Sequence, residues 1–154
     1  MDRRTIGWVF VAGQAVLLVL LVVLPGRDDW PTPSWLRTVA QVVFVAGVVL
    51  LIVAALGLGR ALTPTPVPAE RGVLQTAGLY RFVRHPIYSG VLLIVLGITL
   101  RSGSWFTLAV AVVTFVFFDR KARWEEGRLA EHYPEYADYA ARTPRFVPRP
   151  RARR

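Results

Sequence analysis

Two uninterrupted apolar runs near the start of the chain constrain its fold more than any other feature. Ile6–Leu24 contains 19 residues and Val39–Leu58 contains 20. A helix needs about 20 apolar residues to cross the roughly 30 Å hydrocarbon core of a bilayer. The composition agrees, because 54% of the 154 residues are hydrophobic and only 19% are charged, whereas about a quarter are charged in soluble proteins. We therefore expect an integral membrane protein.

The first run is longer than the apolar part of a signal peptide, which has about 7–15 residues. Pro25–Asp29 follows it and is typical of a loop, with no small-residue cleavage pattern. We therefore interpret the first run as a retained span.

Two shorter apolar segments lie in the second half of the chain. Pro86–Leu100 has 15 residues, Trp105–Phe118 has 14, and Arg101–Ser104 joins them as a tight turn. This spacing predicts a short helical hairpin. We expect the second of its helices to continue through Leu129 and to break near Pro134, since proline interrupts a helix.

These segments predict an all-α, polytopic membrane protein with about four transmembrane segments, including the short hairpin. Alternating prolines in Leu62–Pro68 favour an extended loop between the second and third segments. We expect a single domain over residues 1–148 and a basic, disordered tail over residues 149–154.

The basic residues indicate how the chain is oriented. Of 19 Lys and Arg residues, 16 lie at the N-terminus, in Arg60–His85 or after Phe118, and the other three are Arg27, Arg37 and Arg101. Cytoplasmic segments carry the excess of basic residues, so both termini are expected on the cytoplasmic side of the cell membrane. The net charge of +9 then reflects topology and contact with membrane lipids, and we expect no nucleic-acid partner.

Several kinds of chemistry are excluded. The chain has no cysteine, so it forms no disulfide and has no thiol nucleophile or thiolate metal ligand. Its two histidines, His85 and His132, are far apart, whereas a zinc site needs three or four ligands; we expect no metal. Gly57-Leu-Gly59 lacks the third glycine of a dinucleotide-binding loop.

Polar and aromatic residues gather at two places next to the hairpin. The first place is Gly78–Gly90, in which Pro86 is expected at the first turn of a helix. Proline is favourable there, and the N–H groups that follow it remain unpaired. Asp119–Glu126 follows the fourth segment, with Lys121 and Glu125 four residues apart on one helix face. Taken separately, the first cluster favours an interfacial anchor and the second a solvated helix end. The hairpin, however, brings the two together, so His85, Tyr88 and Glu125 are expected to converge in one pocket.

The first cluster resembles a known family. Arg84-His-Pro-Ile-Tyr88 followed by Gly90 is similar to the Arg-His-Pro-x-Tyr-x-Gly signature of the isoprenylcysteine carboxyl methyltransferases. The resemblance runs from Leu62 to Pro148. Its other matching positions are Gly78-Leu-Tyr80, Glu125-Glu126, Leu129, Glu135-Tyr136, Tyr139, Thr143-Pro144 and Pro148.

This resemblance implies an integral membrane methyltransferase that uses S-adenosylmethionine to methylate a lipophilic or lipidated acceptor, such as an isoprenylcysteine-like carboxylate. It also implies a cytoplasmic cofactor pocket. It implies catalytic roles for Arg120, Lys121 and Glu125. The family has an arginine four residues before the matching glutamate, where it orients the acceptor, whereas this chain has Lys121 with Arg120 beside it. The implied cofactor-binding residues are Gly72, Val73, Leu74, Gln75, Tyr80, His85, Pro86, Ile87, Tyr88, Glu125 and Glu126.

Three other functions are compatible with the same pattern. Membrane reductases of the sterol reductase type share a similar His-Pro turn and use NADPH. Phospholipid N-methyltransferases are a second kind of relative. The third is a small membrane protein without catalytic activity, in which the polar clusters serve as anchors.

Overall fold

The computed structural model of the chain describes residues 2–23, 29–59 and 74–149. Within these ranges the protein is built from helices and their connections, without strands, so the predicted all-α class is confirmed for them. A short 3-10 helix, Gly78–Arg81, precedes the third α-helix. The α-helices are α1 (Arg3–Val23), α2 (Ser34–Leu58), α3 (Pro86–Ser102), α4 (Trp105–His132) and α5 (Tyr136–Arg142).

Two helices are long and apolar enough to cross a bilayer, over Thr5–Val23 and Ser34–Leu58. The helix α3 is apolar but shorter, with 17 residues. The helix α4 is one continuous helix of 28 residues, which is apolar in its first half and charged after Phe118. It extends to His132, beyond the predicted Leu129, and is separated from α5 at Pro134 as expected. That the chain crosses the membrane four times remains a prediction.

Glycines bring α2 and α3 into backbone contact. A Cβ atom added to Gly47 would lie 2.7 Å from the backbone N of Ile94, and one added to Gly90 would lie 2.7 Å from the backbone N of Leu51. Gly97 is similarly close to α2. Small residues allow this close approach where lipid supplies no hydrophobic drive for helices to associate.

The other helices pack around this pair. The hairpin turn between α3 and α4 lies at Gly103, whose φ of +57° is readily adopted by glycine. The Asp29 side chain accepts a hydrogen bond of 2.8 Å from the Trp105 N–H and so caps α4. The helix α1 packs against α4. The buried core between the helices consists of Leu21, Val91, Val95, Val110 and Phe118.

Residues 143–146, which we call the strap, run back across the start of α3. The Arg84 N–H donates to the Pro144 carbonyl (2.9 Å), and the His85 N–H donates to the Arg145 carbonyl (3.1 Å). The Ser89 hydroxyl donates to the Phe146 carbonyl (2.7 Å). These bonds fix the strap beside the end of α4.

Some sequence predictions lie outside the described residues. These are the loop after the first span up to residue 28, the extended proline segment Leu62–Pro68 and the tail beyond Arg149.

Candidate functional site

His85, Tyr88 and Glu125 meet where α3 begins and the apolar part of α4 ends. The rings of His85 and Tyr88 are stacked, with centroids 5.1 Å apart and planes 2° from parallel. The Tyr88 hydroxyl donates a 2.8 Å hydrogen bond to Glu125 Oε2, which also lies 3.6 Å from His85 Nδ1. The predicted convergence of these three side chains is therefore confirmed.

Glu126, the neighbouring carboxylate, is fully engaged by protein groups. Arg145 binds it through two bonds, from Nε to Oε1 (2.9 Å) and from Nη2 to Oε2 (2.7 Å). Arg84 and His85 Nε2 both lie about 3.1 Å from Oε1. An ionised carboxylate only accepts hydrogen bonds, so Nε2 of His85 carries the proton of that bond.

The electrostatics of Glu126 reflect these partners. Burial by itself raises the pKa of Glu126, but hydrogen bonds from Arg145 and His85 and the charge of Arg84 outweigh it. The pKa therefore lies well below its ordinary value, and the group is ionised at neutral pH.

Arg84 and Arg145 link Glu126 to the rest of the fold. The Arg84 guanidinium also donates to the carbonyls of Ala140 and Thr143, in α5 and the strap. Arg145 donates from Nη1 to Asp119 (2.7 Å), and hydrogen bonds from Arg123 and Arg145 lower the pKa of Asp119. We call Arg84, His85, Asp119, Glu126 and Arg145 the ionic cluster. It joins the start of α3 to α4, α5 and the strap.

The two candidate acceptor-orienting residues differ in position. Lys121 is only 4% exposed, and its Nζ lies 5.1 Å from the centre of the Tyr88 ring. Its ammonium donates a 2.6 Å hydrogen bond to Gln14 Oε1 on α1, and Glu125 binds Tyr88 instead. Arg120, about 100° around the helix from Lys121, is exposed. Lys121, and not Arg120, is therefore the cation beside Tyr88.

Tyr80 and Gln75 connect the segment before α3 to α2. The Tyr80 hydroxyl donates to the Ala54 carbonyl at 3.4 Å, and the Tyr80 carbonyl accepts a 2.6 Å bond from the Tyr139 hydroxyl. The Gln75 amide donates to the Gly57 carbonyl at 2.7 Å. Both side chains therefore have protein partners in this state.

The remaining predicted cofactor-binding residues are placed as follows. Pro86 is buried and Ile87 is half-buried at the first turn of α3, and Leu74 is half-buried ahead of the 3-10 helix. Gly72 and Val73 lie outside the described residues.

Four residues around the site were not among the predicted catalytic or cofactor-binding residues. Arg145 and Asp119 belong to the ionic cluster, and nothing in the sequence indicated their pairing. Gln14 carried a signal, because a polar side chain at the centre of a membrane span points to a functional contact. Tyr136 is 4% exposed, and its hydroxyl has no hydrogen-bond partner among the described residues. Burial raises the pKa of Tyr136, and the charge of Glu126 adds to this effect.

Several polar groups at the cluster remain unpaired within the described ranges. They are the second oxygen of Glu125, the Tyr136 hydroxyl and the N–H groups of Ile87 and Tyr88 at the start of α3. A carboxylate oxygen can bind an ammonium or a sugar hydroxyl, and helix N–H groups can bind an anion. In the part of the chain that the structure describes, no group of three or more His, Asp or Glu residues could hold a metal ion.

A sequence model of the phospholipid methyltransferase family matches residues 35–136. The chain belongs to the phospholipid methyltransferase family. The matched range includes α2, α3 and α4 and, with them, His85, Tyr88 and Glu125. Membership and the two apolar helices together identify a membrane protein.

Curated relatives of this phospholipid methyltransferase family member include proteins with different names. The cobalt-zinc-cadmium resistance protein CzcN of Cupriavidus metallidurans is 32% identical over 135 residues, which are 87% of this chain and 60% of the relative. The protein-S-isoprenylcysteine O-methyltransferase B of Arabidopsis thaliana is 30% identical over 133 residues, which are 83% of this chain and 66% of the relative. The chain thus spans about 60% of the length of the first of these relatives.

A solved structure has the same fold. The eukaryotic intramembrane Ras methyltransferase ICMT, an isoprenylcysteine carboxyl methyltransferase, superposes with a TM-score of 0.69 at 21% identity. The alignment covers 96% of this phospholipid methyltransferase family chain and 54% of that structure. The resemblance to the isoprenylcysteine carboxyl methyltransferases is therefore confirmed.

Proposed function

We propose that the chain transfers a methyl group from S-adenosylmethionine to a lipophilic acceptor that carries a carboxylate. The observation that carries this proposal is the position of Tyr88. Its hydroxyl binds Glu125, on the side of His85 and the first turn of α3, and its ring faces the buried Lys121. One side chain therefore separates a polar ligand site from a cation that lies against α1.

The unpaired groups at the cluster fit the cofactor. The free oxygen of Glu125 suits an ammonium or ribose hydroxyl, and the N–H groups of Ile87 and Tyr88 suit a carboxylate. The buried hydroxyl of Tyr136 adds a donor that has no partner among the described residues. Glu126 already binds Arg84, Arg145 and His85, which favours a structural role for it; its predicted contact with the cofactor remains a prediction.

Bound S-adenosylmethionine supplies an electrophilic methyl group on a sulfonium, so a carboxylate acceptor needs no general base. The task of the protein is then to align donor and acceptor, and alignment alone can lower a barrier by several kcal/mol, up to about 7–11 kcal/mol. Tyr88 and Glu125 hold their side of the site through one short hydrogen bond. Lys121 supplies a positive charge to the acceptor oxygen on the other side of Tyr88.

The proposed topology explains how both molecules reach the site. With both termini and the Arg60–His85 segment on the cytoplasmic side, the cofactor enters from the cytosol. A lipophilic acceptor enters from the bilayer between helices. Lys121, Gln14 and the outward-facing apolar side chains of α1, such as Val9 and Val16, support this lateral route.

The pairing of the arginines favours S-adenosylmethionine over NADPH. A dinucleotide phosphate requires cationic side chains that are free to bind it. Arg84 and Arg145, the two described arginines in contact with His85 or Glu126, both bind carboxylates. Titration of the detergent-solubilised protein with S-adenosylhomocysteine and with NADPH distinguishes the two cofactors. If the protein binds neither compound, both enzyme functions are excluded.

Replacing His85 or Glu125 by alanine tests the cofactor site. We expect each change to weaken S-adenosylhomocysteine binding about tenfold to a hundredfold, because hydrogen bonds that involve charged groups contribute about 1.5–3 kcal/mol. Isothermal titration calorimetry measures the affinity, and a thermal unfolding scan establishes that the variants fold. Glu131→Ala, on the exposed end of α4, is the matched control and should bind normally. Unchanged affinity in both variants would mean that the cluster is an anchor.

Tyr88→Phe isolates one hydrogen bond. The ring that stacks on His85 stays, and only the bond to Glu125 is lost. We expect a smaller loss of S-adenosylhomocysteine affinity than in Glu125→Ala, about threefold to tenfold, because Glu125 keeps its charge but not its fixed orientation. The same calorimetric titration decides; a loss as large as that of Glu125→Ala would show that the hydroxyl itself contacts the cofactor.

A further inference from the structure

Lys121 is a buried cation without a carboxylate partner among the described residues. Its neighbours are the Gln14 amide oxygen at 2.6 Å and the faces of Tyr88 (5.1 Å) and Phe118 (5.7 Å). The other cations nearby, Arg84 and Arg145, are each ion-paired. The charge of Glu125 acts on Lys121 from one helical turn away, but Glu125 is itself hydrogen-bonded to Tyr88. The Lys121 ammonium therefore keeps N–H donors that an anionic ligand can bind.

Gln14 is equally unusual in its own helix. It lies at the centre of the candidate span Thr5–Val23, whose mean hydropathy is 2.6. Polar side chains in a span face the protein interior and mark functional contacts. The oxygen of Gln14 accepts the bond from Lys121, and its amide nitrogen has no hydrogen-bond partner among the described residues.

The packing of α1 on α4 fixes this contact. Gly13 lies directly against the Phe117 ring, since a Cβ atom there would be 2.9 Å from Phe117 Cε2. Phe10 packs against both Phe117 (5.8 Å) and Trp124 (5.6 Å). These contacts set the rotation and height of α1, so that Gln14 faces Lys121.

Apart from the Gln14 oxygen, which already accepts a bond from Lys121, the polar groups of the two side chains are hydrogen-bond donors. An ammonium has three N–H donors, of which one is taken by Gln14, and the amide of Gln14 adds two more. A site of donors with one positive charge suits an anionic oxygen group. It lies at the α1–α4 interface, next to the outward-facing apolar residues of α1.

We propose that Gln14 is a positioning and specificity-determining residue, which holds Lys121 against Tyr88 and with it binds the carboxylate of a lipophilic acceptor. This proposal rests on the proposed function, of which it specifies the acceptor end. The alternative is that Gln14 only joins α1 to α4. The two roles predict opposite consequences of placing a negative charge at position 14.

The decisive variant is Gln14→Glu, studied in the full chain in phosphatidylcholine nanodiscs. Its carboxylate pairs with Lys121 and so occupies the charge that would bind the acceptor, while it maintains or strengthens the link between α1 and α4. The probes are N-acetyl-S-farnesyl-L-cysteine and its carboxamide, whose affinities are measured with and without S-adenosylhomocysteine.

We expect the wild-type protein to prefer the carboxylate over the carboxamide by about tenfold or more, and Gln14→Glu to lose this preference while S-adenosylhomocysteine binds as before. The exchange Gln14→Lys with Lys121→Gln should regain part of the preference, because it retains one cation and one amide at the interface. This exchange decides the matter if Gln14→Glu does not fold.

Retention of the carboxylate preference in Gln14→Glu, or its absence in the wild-type protein, would overturn the assignment of Gln14. Failure of the exchange variant to regain any preference would do the same. Failure of the wild-type protein to bind S-adenosylhomocysteine would instead contradict the proposed function, and the two failures are distinguishable because the probes are also titrated without it.

Discussion

Glu126→Gln is expected to destabilise the protein by about 3–5 kcal/mol, because removal of one partner from a buried ionic cluster leaves the others uncompensated. Glu126 is the common acceptor for Arg84, His85 and Arg145, and its side chain is 13% exposed. A glutamine retains the shape but not the charge. The free energy of unfolding, measured by denaturant titration in detergent, checks the value.

Glu131→Gln is the matched control for this change. Glu131 also lies on α4 and pairs with an arginine, Arg128 at 3.1 Å, but its side chain is 53% exposed. An exposed pair of this kind contributes about 0–1 kcal/mol, so we expect a small effect. Equal losses in the two variants would contradict a special role for the cluster.

The stability contributed by Glu126 should also depend on pH. Its pKa in the folded protein lies below the ordinary value of 4.5. A depressed pKa stabilises the fold above the ordinary value, and the contribution is lost as the pH falls below it towards the folded pKa. The stability difference between the wild-type protein and Glu126→Gln should therefore be constant near neutral pH and shrink below about pH 4.5.

Gly90→Ala is expected to cost about 2–3 kcal/mol, since it places a methyl group where two helix backbones touch. The new Cβ would lie 2.7 Å from the N of Leu51 and 2.9 Å from the carbonyl O of Gly47. Backbone atoms cannot rotate away as side chains do, so α2 and α3 must separate. Because α3 carries His85 and Tyr88, cofactor affinity should fall as well; thermal unfolding and calorimetry measure the two effects.

Gly57→Ala provides the control within α2, because nothing lies within 4 Å of its added Cβ. We expect it to be neutral or to stabilise the protein by about 0.5 kcal/mol, as alanine is the better helix former. Gly47→Ala should resemble Gly90→Ala, and the double variant should lose less than the sum, since the helices are already apart. A destabilisation by Gly57→Ala as large as that by Gly90→Ala would contradict this account of the packing.

Much of the fold followed from the apolar pattern. The hairpin turn, the continuous α4 and the break at Pro134 depend on residue types that act locally, and the juxtaposition of His85 with Glu125 follows from a short hairpin. The helix α2 starts at Ser34, five residues before the predicted Val39, because the apolar pattern does not register polar residues such as Ser34 and Arg37, which are nevertheless helical.

The rest depended on distant contacts. Whether Lys121 or Arg120 faces the site depends on the rotation of α4, which reflects its packing with Gln14, 107 residues earlier. The pairing of Glu126 with Arg145 spans 19 residues and crosses the break between α4 and α5. The role of each glycine also depends on distant contacts. Both Gly47 and Gly57 lie in the apolar sequence of α2, but of the two Gly47 alone faces another helix.

The position of the strap in the sequence affects when the site can assemble during translation. The backbone N–H groups of Arg84 and His85 and part of the Arg84 guanidinium bind carbonyls in residues 140–146, which are made after α3. While translation proceeds, the spans can already be inserted in the bilayer, yet Arg84 lacks these carbonyls and Glu126 lacks Arg145. The cluster can therefore be completed only after residues 140–146 have been made, and a nascent chain that stalls before residue 146 lacks these contacts.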